Sequence, residues 1–493
     1  MEMKCDKRIS RRKALSIAAK VGIGAVVGAA VGGIAGYLFG QQVSPKVTTQ
    51  VSTVTHIQTI TAGEVTKTVT TTLPGQTVTT TVTRTTEEVA PPSLKGVPKL
   101  PFKEIVIADL FPLTGGMAQL GIADHLGVKA AVEYINEAGG FGGAKIKLVS
   151  GDAKSDPTAA VSEAERLITQ YQPSILIGCY ASSLSLPVSD VTEKYKIPFI
   201  THSVADAITE RGYKYVFRTT PKGTHQGEVN VRGALEFFRA RGWEPKTAMV
   251  VYEDSPSPKS LAEGYKKILK ENNIDIVYEE AYPPGIKDVT DIATRIMRAN
   301  GDILCINAYM AEAVLFWKAL RGMGFRGKPI LTAGYITPEF GDILGWDKVA
   351  GTMYAATWIH SAYVDGACTL INELYLRKAR AEGYNWKFIH EAAGNYFATV
   401  YLAAYATTLA ESNDPKDIRD ALSRIYVNAR DKSNPFWLAG ASSANGLVKF
   451  DDTGQNIISE DAVGQWISED PWIVTTWPFY METPGGKVMW PIP

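Results

Sequence analysis

From Pro101 onward, short apolar runs alternate with longer segments whose apolar residues recur at helical spacing, and this rhythm leaves few folds open. Ile105 to Leu110 reads as a strand. Leu126, Val128, Ala131, Val132 and Ile135 then share one helical face that stops at Gly139-Gly140. Ile146 to Val149 is the next strand. Asp156-Pro157 supplies a helix N-cap followed by proline at the first helical position, with Val161, Ala164 and Ile168 as the buried stripe. Strands at 174–177 and 198–200 follow. After Arg218-Thr-Thr-Pro the rhythm restarts, with helices at 226–241, 261–271, 292–297 and 311–323 set between strands at 248–252, 274–277, 303–306 and 330–331. Strand then helix, repeated at this spacing, means a parallel sheet covered on both faces. Two such α/β lobes lie in series. Residues 366–424 read as mostly helical, and 425–493, rich in Trp, Pro and Gly, as strands and loops that close the molecule. The apolar stretch 396–409 carries Thr399, Thr407 and Thr408 and reads as a buried helix, not a membrane span.

The stretch 171–206 carries the strongest functional signal. The run Ile175 to Ile177 is a buried strand, and Ser182 and Ser183 sit where N-caps of the next helix belong. A second run, Ile197 to Ile200, ends in the polar loop Thr201-His202-Ser203. Two neighbouring strands therefore deliver hydroxyls and helix amides to one sheet edge, where a carboxylate or phosphate can be held without a catalytic group.

Composition excludes several classes. At 493 residues and 45% hydrophobic, the chain can fill roughly two or three domain cores. Lys plus Arg equals Asp plus Glu at 51 each, so no basic excess points to nucleic acid. The four cysteines, Cys5, Cys179, Cys305 and Cys368, have no metal-type spacing, and a disulfide framework is not expected.

The first forty residues stand apart. Lys4, Lys7, Arg8, Arg11, Arg12, Lys13 and Lys20 precede an uncharged stretch from Val21 to Gly40, at about 20 residues long enough to span a bilayer. Ser10-Arg11-Arg12-Lys13-Ala14-Leu15 is similar to a twin-arginine export signal. Residues 1–40 are thus a cleaved signal or a retained anchor; no clear small-x-small cleavage site precedes the next segment. Residues 41–100 are dominated by threonine and valine and read as an exported stalk, closed by Pro91-Pro92.

Enzyme motifs fail on inspection. Gly322-Met-Gly-Phe-Arg-Gly327-Lys328-Pro329 nearly matches a phosphate loop, but Pro329 replaces the metal-binding hydroxyl and the segment joins helix to strand. His390-Glu391-Ala-Ala-Gly lacks the second histidine of a zinc site. No Gly-x-Ser-x-Gly elbow occurs. No catalytic residue, metal or cofactor is expected.

Several motifs together resemble the leucine/isoleucine/valine-binding proteins of ABC importers: Ile105 to Thr114 followed by Gly115-Gly-Met-Ala-Gln-Leu-Gly; Val132-Glu-Tyr-Ile-Asn-Glu-Ala-Gly-Gly-Phe-Gly-Gly; Gly151-Asp-Ala-Lys-Ser-Asp-Pro; Thr209-Glu-Arg-Gly-Tyr-Lys-Tyr-Val-Phe-Arg-Thr; and Gly446-Leu-Val-Lys-Phe-Asp-Asp-Thr-Gly-Gln. The resemblance implies a type I periplasmic-binding-protein fold: α/β, two doubly wound parallel-sheet lobes with a ligand cleft. It places crossovers near Thr219, His360 and Ile425. Lobe 1 would comprise 101–219 and 360–424, and lobe 2 would comprise 220–359 and 425–493.

The resemblance also implies site residues. Ser182 matches the serine that holds the ligand carboxylate, with Ala181 and Ser183 beside it, and Ser203, Val204 and Ala205 match the second carboxylate loop. Tyr309 matches a ligand-facing tyrosine, and Ser257 stands where another is common. The family's half-cystines fall at Ser155 and Ala181, so that disulfide is absent. Ala333 stands where the family's amino-acid binders place an acidic residue for the ligand ammonium, leaving Glu312, Glu339 or Asp254 to reach in. The expected partners are therefore a small solute (a branched-chain amino acid, an amide or an organic acid, with a near-neutral one favoured by Ala333) and ABC permease subunits, with the membrane reached through residues 21–40. A ligand-sensing receptor ectodomain is the alternative.

Overall fold

The structure, a computed structural model, describes residues 54–61, 64–73, 76–85, 94, 96–333, 339–358, 366–467, 473–477 and 488–492. The membrane segment expected over 1–40 lies outside these residues. Among the described residues no helix is long and apolar enough to cross a membrane.

Two compact units divide at Glu88/Val89. In the first, β1 (Val54–Thr61), β2 (Glu64–Leu73) and β3 (Gln76–Thr85) form an antiparallel ladder in which Thr66, Thr68 and Thr70 pair with Thr83, Thr81 and Thr79. The pairing has a local cause, since alternating threonine and valine are β-branched residues suited to a pleated strand.

In the second unit, β4 (Glu104–Phe111), β5 (Lys145–Asp152), β6 (Ile175–Gly178), β7 (Phe199–Thr201) and β8 (Val216–Arg218) form a parallel sheet of order β5-β4-β6-β7-β8. One face is covered by helices 157–171 and 182–195, through Leu167, Leu184 and Val188. The other packs against helices 118–137 and 391–410, through Ile135, Tyr396 and Tyr401. Local signals set these elements. The Asp156 side chain accepts the Ala159 N–H at 2.8 Å, and the helix at 118–137 ends where Gly140 donates back to the Ile135 carbonyl.

The chain crosses to the second sheet between Arg218 and Gly223. There β9 (Thr247–Glu253), β10 (Asp275–Tyr282), β11 (Ile303–Asn307), β12 (Ile330–Ala333) and β13 (Met353–Ala356) are parallel in the order β10-β9-β11-β12-β13. After the short antiparallel pair β14 (Tyr426–Asn428) and β15 (Leu447–Lys449), β16 (Ala462–Trp466) and β17 (Ile473–Trp477) extend that second sheet antiparallel. Helices 223–239 and 256–271 cover one face and helices 290–299 and 310–322 the other.

The expected boundary at Ile425 is displaced. Ile425, Val427, Phe436, Leu438, Val448 and Phe450 all belong to the first lobe's core, so the return to the second sheet falls between Asn456 and Ala462. Trp, Pro and Gly in this stretch carry no period that would assign it to either sheet. The turn at Asp451–Asn456 docks on the first sheet's edge. Arg218 donates its N–H to the Gly454 carbonyl at 2.8 Å, and a Cβ on Gly454 (φ 77°) would lie 1.8 Å from the Val216 carbonyl oxygen. Backbone contact this close admits only glycine.

Candidate ligand cleft

The first sheet reverses winding direction between β4 and β6, and the second between β9 and β11; the carboxyl ends of such strand pairs are where α/β sheets open a crevice. On the first lobe that edge is built by the loops after β6 and β7. Ala181, not a serine, is the N-cap of helix 182–195 and makes no side-chain cap. The expectation that Ser182 and Ser183 cap the helix is therefore corrected. Ser182 is the first helical residue, and its Oγ instead accepts the Ala205 N–H at 3.1 Å. Ser203 Oγ donates to the Tyr180 carbonyl at 2.8 Å and lies 2.6 Å from Ser185 Oγ. Two loops are stitched into one surface.

That surface keeps donors in reserve. Among the described residues, the N–H groups of Ser182, Ser183 and Val204 have no partner, and the Ser182 hydroxyl, having accepted one bond, still has its hydrogen to give. Such a set suits a carboxylate at a helix N-terminus. Arg218 holds the loop from below. Fully buried, it donates to the carbonyls of Val204 (3.0 Å) and Ala205 (2.6 Å), to Gln455 Oε1 (2.7 Å) and to Thr209 Oγ1 (2.7 Å). Burial lowers its pKa to about 10, so it stays cationic at neutral pH.

Across the cleft, Tyr309 caps helix 310–322 and its ring lies 6.5 Å from that of Tyr180, at 60°. This contact faces the two carboxyl edges toward each other. Ser257 is buried in the first turn of helix 256–271, which also touches helix 182–195. Ala181, Ser182, Ser183, Ser203, Val204 and Ala205 thus share the first lobe's edge, with Ser257 and Tyr309 on the second. Ala333 does not join them. Its side chain is fully buried with Leu331, Met353 and Ala355 in the core beneath helices 223–239 and 256–271. Of the alternative carboxylates, Asp254 is exposed and paired with Lys259, and Glu339 bonds His390 Nε2 at 2.8 Å.

Sequence reading missed Tyr180, which sits at φ 71° in the left-handed region that a side chain rarely adopts. Nothing in its neighbours announces that conformation. His202, buried at the cleft floor, bonds Thr399 Oγ1 (2.8 Å) and Thr219 Oγ1 (3.0 Å), and burial pushes its pKa down to about 3. The unfolded state, with an ordinary value near 6.5, binds its proton first on acidification. Stability is therefore expected to fall below about pH 6.5, by at most about 1.4 kcal/mol per unit for this group. A shallower acid limb in a His202→Gln melt would show it.

A periplasmic binding protein family model matches residues 104–446. The chain belongs to the periplasmic binding protein family. Among individual proteins, this family member is 26% identical over 388 residues to a Leu/Ile/Val-binding protein homolog 7 of Brucella abortus, covering 76% of this chain and 92% of that one. Its fold is similar to that of the Streptococcus pneumoniae branched-chain amino acid transporter substrate binding protein LivJ, in complex with isoleucine. There the TM-score is 0.63 and identity 22%, covering 75% of this chain and 98% of that one. It is similar also to a solute binding protein of an ABC transporter from Rhodopseudomonas palustris, in complex with benzoate. That match has TM-score 0.63 and identity 16%, covering 78% of this chain and 99% of that one. The two α/β lobes have the type I fold of this family.

Proposed function

We propose that this chain is the extracellular solute receptor of an ABC importer of the branched-chain amino acid type, holding the carboxylate of a small solute on the first lobe and closing the second lobe over it. The partnerless N–H groups of Ser182, Ser183 and Val204, set beside the Ser182 hydroxyl, carry the reading. Family membership and the likeness to proteins crystallised with isoleucine and with benzoate support a carboxylate as the shared chemical feature. A solute that bridges both lobes favours the closed state by its differential affinity, and permease subunits would read that state. ATP hydrolysis belongs to other chains.

Ser182→Ala tests the site. It is expected to weaken carboxylate binding by about 1–3 kcal/mol and, because the buried Ala205 N–H loses its acceptor, to lower folding stability by about 1 kcal/mol. Calorimetry and denaturant titration read the two separately; unchanged affinity would move the carboxylate site elsewhere.

We also propose that Val21 to Gly40 tethers the receptor to the outer face of the cytoplasmic membrane through the threonine-rich stalk. The missing cleavage motif supports this. Native protein found free in the medium with an N-terminus near residue 41 would overturn the tether.

A further inference from the structure

The loop 382–390, between helices 367–381 and 391–410, is fastened to the first lobe at its base and reaches the second lobe near its end. Glu382 pairs with Lys129 of helix 118–137 and, at 3.2 Å, with Lys378. Gly383, at φ 91°, turns the chain back so that the Tyr384 N–H donates to the Ala379 carbonyl at 2.9 Å. Tyr384 and Trp386 pack on the first lobe's core and stack on each other, ring centroids 4.5 Å apart, with Tyr375 6.0 Å from Trp386. Phe388, two residues on, packs instead against the second lobe's core, the cluster that holds Phe340. His390, 1% exposed, is the N-cap residue of helix 391–410 in the first lobe, yet its Nε2 donates at 2.8 Å to Glu339 Oε1 on the second lobe's short helix 339–344. Among the described residues the His390 ring has no other hydrogen-bond partner, and the Trp386 ring lies 4.5 Å from it.

The crossing between lobes that follows β13 is pinned on the same helix. Thr357 Oγ1 donates to Asn395 Oδ1 at 3.0 Å, Asn395 Nδ2 donates back to the Thr357 carbonyl at 3.2 Å, and a Cβ on Gly394 would lie 2.4 Å from the Trp358 ring. His390 stands about one and a half helical turns from that pin, so the Glu339 bond ties the lobes outside the covalent crossing. We propose that loop 382–390 is a strap that holds the second lobe over the first, and that its grip sets the affinity for every solute without touching any of them. This rests on the receptor reading above, in which the lobes close on a solute. Swinging the lobes apart strips Phe388 from its apolar contacts and leaves a buried imidazole with no partner, both unfavourable. The closed arrangement is therefore favoured before solute arrives, and apparent affinity rises by one common factor for any solute that needs closure.

The test compares the full chain with Glu339→Ala, Phe388→Ala and Glu339→Gln, by small-angle scattering without solute and by calorimetry with isoleucine and with benzoate. Glu339→Ala and Phe388→Ala are expected to show a larger radius of gyration than wild type. Both are expected to lose roughly tenfold in affinity for each of the two solutes that wild type binds, by the same factor where it binds both. Glu339→Gln keeps an acceptor for His390 and is expected to match wild type in both measurements. An equal loss is what a shift in lobe position gives; a contact with solute would weigh differently on an aliphatic zwitterion and a flat aromatic acid. Glu339 is partly exposed, so its alanine variant keeps the test open even where Phe388→Ala fails to fold. Unchanged scattering, unchanged affinity, or a loss that differs between the two solutes would each overturn the strap while leaving the receptor reading intact. Wild type that binds neither solute would count against the receptor reading, and the scattering comparison would still decide the strap.

Discussion

Arg218→Met is expected to lose about 4 kcal/mol of folding stability, with Arg218→Lys recovering only part of it. The guanidinium is fully buried and satisfies four acceptors at once: the carbonyls of Val204 and Ala205, Gln455 Oε1 and Thr209 Oγ1. Methionine leaves all four without that donor in a site closed to water, and each unpaired buried acceptor costs on the order of 1 to 3 kcal/mol before relaxation. An ammonium cannot reach Thr209 and Gln455 from one position as a planar fork does. Because Gln455 also donates to the Thr220 carbonyl, the same loss loosens the first crossing between lobes. Denaturant unfolding of the two variants measures the difference directly; a loss under about 1 kcal/mol for Arg218→Met would mean that Gln455 and water replace the fork.

Ala333→Glu is expected to destabilise by a comparable amount, about 3 to 5 kcal/mol, and to add no affinity for leucine. Placing an acidic residue there looks like restoring an ammonium partner, yet the Ala333 side chain faces Leu331, Met353 and Ala355 and not the cleft. A glutamate in that layer carries both excess volume and an unpaired charge into the core. Urea unfolding together with leucine titration of the variant checks both halves; tighter leucine binding in a stable variant would show that β12 can turn its last residue outward.

Much of the architecture was legible because its signals are local. Asp156-Pro157 states a helix start and Gly139-Gly140 a helix end within a few residues, and the apolar runs at 105–110, 175–177 and 303–306 state buried parallel strands. The first-lobe loops were legible for the same reason. What escaped depends on residues far apart in sequence. Arg218 meets Gln455 only after two lobes are built, and the docking that brings Phe450 onto Phe217 draws 425–450 into the first lobe. Tyr180 meets Tyr309 across the cleft. The expectation of a near-neutral solute rested on Ala333 alone. A residue whose side chain points into the core carries no information about the charge of the ligand.

Calorimetric titration of the full chain with leucine, isoleucine, valine, phenylalanine and benzoate at neutral pH asks most directly whether a small carboxylate seats between the lobes. One solute per chain is predicted, with Kd in the micromolar range or tighter for at least one of them, and with the heat lost in a Ser182→Ala/Tyr309→Ala double variant that still unfolds cooperatively. A titration that survives unchanged in that double variant would contradict binding between these two edges.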